Sequence, residues 1–329
     1  MIETQILYSS GKFARSVKLS KGKKQLITPT YFPAISGTHR DFKAFDLVRI
    51  ITQTHYPRML ISAYDCKSES SFSANLGEIS EYFRTGSFVM LDSGIFELSR
   101  TYDEHWNFEE YKVAVNEVDS DFYCTYDLLP NDRMSNPAFT DATLRGIRKS
   151  LRIKARSQGV SVTHGNSPAQ LIYVSKKLVK ALPEGANFVA FPERECGATI
   201  LDRARTILAL RRLFGDRDKT VIHLLGCGNP ISMAVYAYCG ADMFDSLDWT
   251  SCVVNRSSLG LSDISHVPIM SCNCAVCSNP PKNPLRRALL HNLLFYQDFV
   301  LKMQSMIRQN TLRDFLIEMV GARLIEQID

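Results

Sequence analysis

Three aspartates in the 329-residue chain each close a short apolar run: Asp92 ends FVMLD, Asp127 ends CTYD and Asp245 ends ADMFD. A buried carboxylate is costly unless it is paired or used. Carboxylates that share a pocket suit glycosyl chemistry, because one attacks the anomeric carbon while another moves protons on the leaving group. For any single acid, a helix cap or an ion pair is the alternative interpretation.

The cysteine motif CNCAVC places Cys272, Cys274 and Cys277 within six residues. Three thiolates at this spacing can reach one ion, and a tetrahedral zinc needs a fourth ligand. His291, fourteen residues after the last cysteine, is the nearest candidate. A histidine beside leucines could instead be a core residue, and a disulfide is disfavoured because three is an odd number. Four protein ligands would make the zinc structural.

Eight short apolar runs, bounded by turn signals and separated in several places by helical periodicity, would position these residues. They cover residues 26–33, 58–65, 88–94, 121–130, 159–165, 187–193, 220–228 and 241–246. This alternation predicts an α/β fold, an irregular (β/α)8 TIM barrel, with an open doubly wound sheet as the alternative. Six of the runs close on residues that would converge over one barrel mouth: Asp92, Asp127, His164, Glu193, Gly226–Gly228 and Asp245.

The segment from residue 266 has a different character. It holds the cysteine motif, the proline-rich SNPPKNP, and two helical patterns, LRRALLHNLLFYQDFVLKMQSMIRQ and TLRDFLIEMVGARLIE. We therefore predict a catalytic barrel over residues 1–265. Residues 266–329 should form a zinc-binding subdomain whose helices pack on the barrel.

The composition limits the class of protein. Hydrophobic residues make up 45% of the chain, and the 39 basic against 34 acidic residues permit a nucleic-acid partner without requiring one. No apolar run reaches the length of a membrane span, and no signal peptide is visible. Together with the nine cysteines, the lack of such segments in the sequence favours a cytoplasmic protein with no membrane partner. The basic segments 12–24 and 145–156 could bind phosphates or be solvated faces.

Several short blocks, in this order, make the sequence resemble the tRNA-guanine transglycosylases. The blocks are LDSGIFEL, YDLLP, THG, HLLGCGNP, GADMFDS, CNCAVC and LLHNLLFYQDFV. The resemblance implies a (β/α)8 barrel with a structural Zn²⁺. It also implies an enzyme that exchanges guanine in a polynucleotide for a 7-deazaguanine base by double displacement.

The same resemblance implies roles for individual residues. Asp245 is the expected nucleophile at C1′, Asp92 the general acid/base, and Asp127 the acceptor for the guanine N1–H and exocyclic amine. The other expected substrate contacts are His164 and Gly165 at a base edge, Leu225 and Gly226 in the base pocket, and Ser93 and Gly94 in a turn that admits backbone amides.

The sequence departs from this family around the base and polynucleotide contacts. Ile95 stands where a second glycine is usual, FVAFPE (188–193) replaces a glycine-rich strand end, and the Pro-x-Arg after the nucleophile is missing. These changes favour the branch that inserts bases such as preQ0 into DNA, with tRNA as the alternative polynucleotide. Trp249 and Arg256 are expected to stack on or clamp the strand.

Two further hypotheses explain less of the sequence. A non-catalytic paralogue that binds nucleic acid would not need all three aspartates. A sugar-processing hydrolase would leave the zinc motif and the order of the blocks unexplained. We expect no appended RNA-binding domain of the archaeal kind, and a homodimer or a partner protein is left open.

Overall fold

The computed structural model describes residues 2–11, 13–39, 41–70, 72, 75, 77, 80–82, 86–130, 134–153, 156–215, 219–269 and 271–329. An antiparallel sheet comes first, formed by β1 (Glu3–Ser10), β2 (Ala14–Lys21) and β3 (Lys24–Ile27). Eight parallel strands then close into a barrel: β4 (Thr30–Ile35), β5 (Arg58–Ser62), β6 (Phe88–Asp92), β7 (Phe122–Cys124), β8 (Gln158–Val162), β9 (Phe188–Pro192), β10 (Val221–Leu225) and β11 (Met243–Ser246). The strands β12 (Cys252–Val254) and β13 (Leu261–Asp263) form a separate antiparallel pair.

Each of the eight apolar runs contributes a barrel strand, so the predicted (β/α)8 barrel is confirmed. Successive strands pair in parallel, and β11 pairs with β4 to close the ring. The first run, 26–33, is divided between the end of β3 and the start of β4. Pro29 lies in the gap, and proline lacks the N–H that a central strand position donates.

Helices surround the barrel. Their bounds are α1 (Ala44–Gln53), α2 (Ala63–Ser68), α3 (Ile95–Thr101), α4 (Phe108–Glu117), α5 (Asn136–Leu151), α6 (Pro168–Ala181), α7 (Ile200–Leu213), α8 (Pro230–Tyr238), α9 (Asp248–Ser251), α10 (Ala275–Ser278), α11 (Pro284–Gln309), α12 (Leu312–Val320) and α13 (Ala322–Ile328). Short 3-10 turns cover Pro183–Ala186, Glu193–Cys196 and Ile264–Ile269. Within the described ranges, no helix is both long and apolar enough to span a membrane.

Local sequence accounts for the start of several helices. Ser167, Asn229 and Asn283 each accept a hydrogen bond from a first-turn N–H, and a proline follows each of them. Such caps satisfy backbone donors that have no partner inside the helix, while proline occupies a position where its missing N–H costs nothing. These capping residues therefore determine where α6, α8 and α11 begin.

Side chains on the barrel strands alternate between the barrel interior and the surrounding helices. On β6, Phe88 and Met90 lie in the inner cluster, whereas Val89 and Leu91 belong to the outer one. This is the period of two expected for a strand in a closed barrel. The N-terminal sheet closes one end of the barrel, because it adds apolar side chains to the inner cluster: Val17, Leu19 and Leu26.

The basic segment 12–24 lies largely in this N-terminal sheet. Arg15 donates two hydrogen bonds of 2.9 Å to Asp242, which directly precedes β11. Lys21 and Lys24 form ion pairs with Asp121, which directly precedes β7. These three basic side chains therefore hold the sheet against the end of the barrel where the strands begin, and their partners are carboxylates rather than phosphates. Lys12 lies outside the described residues.

The C-terminal segment packs on the barrel. Leu289, Tyr296 and Met303 of α11 belong to the same core cluster as Phe244 of β11. The predicted final helix is two helices, α12 and α13, because Gly321 between them has a φ of +87°, outside the helical range. The domain division at residue 265 stays a prediction.

Asp242 is fully buried between two arginines. Arg211 donates to its carboxylate at 2.6 Å, beside the two bonds from Arg15, and the Ile222 N–H adds a bond of 2.8 Å. Burial alone would raise the pKa of Asp242, but the two guanidinium groups and the hydrogen bonds outweigh it and hold the pKa below its usual value. Asp242 is therefore ionised and joins the N-terminal sheet, α7 and the barrel.

We expect Asp242→Ala to lower the free energy of unfolding by about 3–5 kcal/mol, because it leaves two buried guanidinium groups without their anion. Because the pKa of Asp242 is depressed, its contribution is present above the ordinary aspartate pKa and is lost as the pH falls. Urea unfolding of wild type and variant should therefore differ most near neutral pH and converge in acid. The exposed Glu104→Ala serves as the control that leaves the midpoint unchanged, and equal midpoints for wild type and Asp242→Ala would contradict the expectation.

Candidate active site and metal centre

A cavity of about 460 Å³ opens at the end of the barrel where the strands finish. Its wall carries the three predicted aspartates together with His164, Ser93, Leu225 and Gly226. Closure of the barrel brings together side chains more than 150 residues apart in the sequence, since Asp92 and Asp245 line the same cavity. Further acidic residues line it as well: Glu97, Glu193, Glu195 and Asp248.

The alternation of the strands explains why Asp92 and Asp245 face the cavity, whereas Asp127 lies three residues beyond the end of β7 and not at the strand end that the sequence predicts. Asp92 follows the inward-facing Phe88 and Met90 on β6, and Asp245 follows the inward-facing Met243 on β11. In each case the carboxylate is the last inward position of its strand. It therefore has an apolar layer beneath it and the cavity above it.

Asp92 is arranged to hold a proton. Burial raises the pKa of its carboxyl well above the ordinary value, and the neighbouring Asp127, Glu97 and Asp245 raise it further. A carboxyl group in such surroundings stays neutral at a pH where an exposed aspartate is ionised. It can then donate its proton to a group bound in the cavity.

Asp245 is 7% exposed and bonded to a buried histidine. The distance from His223 Nε2 to Asp245 Oδ1 is 2.7 Å. His223 lies in the middle of β10 and is a functional candidate that the sequence analysis missed. The available signal was a polar residue at an inward position of the apolar strand VIHLL.

His164 lies between two carboxylates. Its Nε2 is 2.7 Å from Asp127 Oδ2, its Nδ1 is 2.8 Å from Glu195 Oε1, and the Gly165 N–H donates to Glu195 Oε2 at 2.8 Å. Burial lowers the pKa of His164, but the two carboxylates more than reverse this and raise it to about 10. The ring is therefore an imidazolium, and both of its nitrogens already have protein partners. Glu195 was missed at the sequence level, although it closes the acidic segment PERE.

Two glycine turns shape the cavity. Gly94 has a φ of +82°, and a Cβ there would lie 2.7 Å from the Cβ of Tyr64, so glycine is required behind Asp92. Ser93 is buried beside it, and its carbonyl accepts a hydrogen bond from the Trp106 indole at 3.3 Å. Gly226 has a φ of +73° and, with Leu225, forms part of the cavity wall.

Some expected contacts are placed differently. Trp249 is fully buried and donates to the Ala34 carbonyl at 2.7 Å, so the expectation that it stacks on a polynucleotide is wrong. Arg256 is paired with Asp298 of α11. Glu193 accepts hydrogen bonds from Arg203 and Tyr236, which anchors α7 and α8 to the turn that follows β9. The basic segment 145–156 lies mostly on α5, with Lys154 and Ala155 outside the described residues.

The metal ligands predicted from the cysteine motif are brought together. The donor atoms of Cys272, Cys274, Cys277 and His291 all lie within 4.8 Å of one another. His291 Nδ1 is 3.4 Å from Cys274 Sγ and 3.5 Å from Cys277 Sγ. Those distances fit the edges of a zinc tetrahedron, which are about 3.6 Å for one sulfur and one nitrogen ligand. The Cys₃His set is thus a structural zinc site without an open position.

The other nitrogen of His291 orients the ring for the metal. Its Nε2 is 2.8 Å from the Val254 carbonyl of β12, and the residue is fully buried. A proton on Nε2 leaves the Nδ1 lone pair for the ion, as is usual for metal-bound histidines. The site therefore joins the cysteine loop, β12 and α11.

Comparisons with known proteins agree on one family. A family model described as "TGT: Queuine tRNA-ribosyltransferase" matches residues 10–324. Two proteins named tRNA-guanine(15) transglycosylase are similar over 90% of this chain, at 23% identity for the one from Thermococcus onnurineus and 24% for the one from Archaeoglobus fulgidus. The matched segments cover 53% and 64% of those two proteins, so the chain spans between about half and two thirds of their length.

A third relative is similar over a shorter stretch. The protein of the same name from Methanocaldococcus jannaschii is 29% identical over 114 residues, which cover 30% of this chain and 17% of that protein.

Zinc content tests the metal centre. We expect wild type to contain one zinc per chain and both His291→Ala and Cys274→Ser to lose it, since three ligands rarely hold a structural zinc. Metal analysis after dialysis against a weak chelator measures this. Cys252→Ser, outside the cluster, is the matched control that should retain the metal. Full zinc occupancy in His291→Ala would show that the fourth ligand is a different group.

The pH dependence of stability tests the charge on His164. Its pKa of about 10 lies above its ordinary value, so its stabilising contribution is complete below about pH 6.5 and is lost as the pH rises through about 10. We expect wild type to lose more thermal stability than His164→Gln between about pH 7 and about pH 10. The exposed His105→Gln should follow wild type. Parallel curves for wild type and His164→Gln would mean that the ring is not a cation.

Proposed function

The chain belongs to the queuine tRNA-ribosyltransferase (TGT) family, and from that premise we propose that it is a guanine transglycosylase. In this proposal it is a pentosyltransferase that exchanges guanine in a polynucleotide for a 7-deazaguanine base. The observation that carries the proposal is the set of three aspartates in one cavity with three different surroundings: Asp92 holds a proton, Asp127 faces a cation and Asp245 is held by a histidine. Chemically identical groups in such different surroundings can perform different steps of one reaction.

Asp245 would act as the nucleophile. A carboxylate oxygen attacks C1′ of the target nucleotide, the bond from C1′ to guanine N9 breaks, and its electron pair leaves with the base. Asp92, which holds a proton, would protonate the departing guanine and become a carboxylate. In the second half-reaction Asp92 would remove the N9 proton of the incoming base, whose nitrogen displaces the Asp245 carboxylate from C1′.

Asp127 would recognise the edge of the base. Its Oδ2 is held by His164, whereas its Oδ1 is buried and has no hydrogen-bond partner among the described residues. A buried acceptor without a partner is costly, and a ligand with donor groups would relieve that cost. The guanine N1–H and exocyclic amine are two adjacent donors, which suits a carboxylate.

The remaining predicted contacts are proposed around the same base. Gly165 and His164 would act mainly through Glu195 and Asp127, since a direct contact of the imidazolium with a base would displace one carboxylate. Leu225, Gly226, Ser93 and Gly94 would form the walls and turns of the base pocket. Guanine must leave its stack to enter such a pocket. The exposed Phe96 and Leu129 on the wall offer apolar surface to the unstacked nucleotide.

The polynucleotide is best supported as tRNA. The relatives above are named tRNA-guanine(15) transglycosylases, which outweighs the preference for DNA drawn from the sequence alone. DNA is the second candidate, because Pro192 ends β9 on the cavity wall, in a strand end where the family usually has glycines. Proline lacks an N–H, so it cannot donate to a base oxygen there. A changed base contact is compatible with a different substrate, such as preQ0 entering DNA.

Base exchange tests the proposal directly. The protein is incubated with labelled guanine or labelled preQ0 and, in separate reactions, with tRNA and with duplex DNA. We expect label to enter tRNA, with Asp245→Asn reducing the rate by at least about 10³-fold because the covalent step loses its nucleophile. The exposed Asp314→Asn is the matched control that should exchange normally.

Each outcome of this experiment has a definite meaning. Incorporation into DNA but not tRNA would show that the polynucleotide substrate is DNA rather than tRNA. Exchange that persists in Asp245→Asn would show that another group attacks C1′. No incorporation into either polynucleotide, with zinc and folding intact, would refute transglycosylase activity.

A further inference from the structure

His223 occupies an unusual place in the barrel. It is fully buried in the middle of β10, where the parallel register sets it opposite Met243, two residues before Asp245. Its ring lies at 28° to that of Phe32, with centroids 6.2 Å apart. The inner residue before it on β10 is the apolar Val221. A polar ring in such a layer loses solvation, so a specific hydrogen bond must compensate for it.

The hydrogen bonds of His223 determine which nitrogen carries the proton. Nε2 is 2.7 Å from Asp245 Oδ1, and a carboxylate oxygen can only accept, so Nε2 donates. Nδ1 is buried and has no partner among the described residues. A second proton on Nδ1 would be a buried donor without an acceptor, which is costly. The ring is therefore neutral, with its single proton on Nε2.

We propose that His223 is a positioning residue for the nucleophile, a role that rests on the proposed transglycosylase activity. Its Nε2–H holds Asp245 Oδ1 against the barrel floor, and the cavity side of the carboxylate is left to Oδ2. The oxygen that attacks C1′ is thus Oδ2, presented in one orientation. Because His223 is rigidly packed in the inner layer, the orientation is set before substrate binds.

The hydrogen bond from His223 Nε2–H to Asp245 Oδ1 persists through both half-reactions. When Oδ2 bonds to C1′, the bond from C1′ to N9 breaks and the negative charge of the carboxylate is lost to the glycosyl ester. Oδ1 becomes the ester carbonyl and still accepts from Nε2–H. When the incoming base attacks C1′, the bond from C1′ to Oδ2 breaks and its electron pair returns to the carboxylate, which the hydrogen bond then stabilises. His223 keeps its proton throughout, and Asp92 makes all the proton transfers.

A matched pair of variants separates this role from simple packing. His223→Gln and His223→Met have side chains of similar length and shape, but only glutamine has an amide N–H that can replace Nε2–H. We expect the rate of formation of the covalent intermediate, measured in a single turnover, to fall about 10²-fold in His223→Met and to stay within about fivefold of wild type in His223→Gln. KM for the polynucleotide should change little in either variant, since His223 does not touch it.

Thermal stability gives an independent comparison. A buried glutamine leaves its own carbonyl without a partner, and methionine leaves Asp245 Oδ1 without its donor, so both variants should be less stable than wild type. The rates of the two variants are therefore expected to differ far more than their melting temperatures, which a packing role could not produce. Zinc content should equal that of wild type in both. Equal rates for the two variants, or a wild-type rate in His223→Met, would overturn the proposal.

A measurement without turnover distinguishes this proposal from the proposed function. The chain has seven histidines, so ¹⁵N-histidine labelling gives few imidazole signals, and the signal lost in His223→Gln identifies His223. We expect a neutral ring protonated on Nε2, and a ring protonated on Nδ1 would overturn the proposal. If wild type exchanges no base while this signal is present, the transglycosylase assignment fails. If wild type exchanges base while the two variants react equally, only the role of His223 fails.

Discussion

The alternation of side chains along the strands of the closed parallel barrel determines which residues line the cavity. Each strand sends every second residue into an interior that is sealed at one end by the N-terminal sheet. The last inward-facing residue of a strand borders the cavity, while the inward residues before it are covered by the barrel interior. Asp92 and Asp245 hold that place on β6 and β11, so both are largely removed from water yet accessible to a ligand. A surface carboxylate is accessible to a ligand but is not removed from water, whereas burial raises the pKa of Asp92 well above its ordinary value.

Several acids in one cavity repel each other, and the structure balances each in a different way. Asp127 faces the imidazolium of His164, whose other nitrogen is bonded to Glu195. Asp245 accepts from His223, and Asp92 avoids a charge by keeping its proton. The burial that makes these groups costly also strengthens every hydrogen bond between them. In the proposed mechanism, one residue type would supply a nucleophile, an acid and a base-edge acceptor, because the three aspartates have different surroundings.

The metal centre supports the cavity from outside. His291 and Asn292 of α11 bond to the backbone of Val254, and Asn292 also bonds to the Trp249 and Cys252 carbonyls, all shortly after Asp245. One turn further along α11, Tyr296 donates to the Gly228 carbonyl at 2.7 Å and stacks on Tyr31 at 4.0 Å. The zinc holds the start of this helix to its cysteine loop. Its contribution is thus to fix the segments that follow β10 and β11, without taking part in the chemistry.

Local patterns in the chain were enough to locate the eight barrel strands, the long helix that carries His291, the zinc ligands and the aspartates that line the cavity. Such features depend on residues that are close in sequence, through periodicity, capping and spacing. The partners of the buried polar groups depend on distant residues: 22 positions separate His223 from Asp245, 31 separate His164 from Glu195, and 227 separate Arg15 from Asp242. No local pattern contains these pairings, so His223 and Glu195 were missed and Trp249 was expected to contact the polynucleotide. They became visible once the barrel had closed, because closure sets which side chains share a low-dielectric interior and must satisfy one another there.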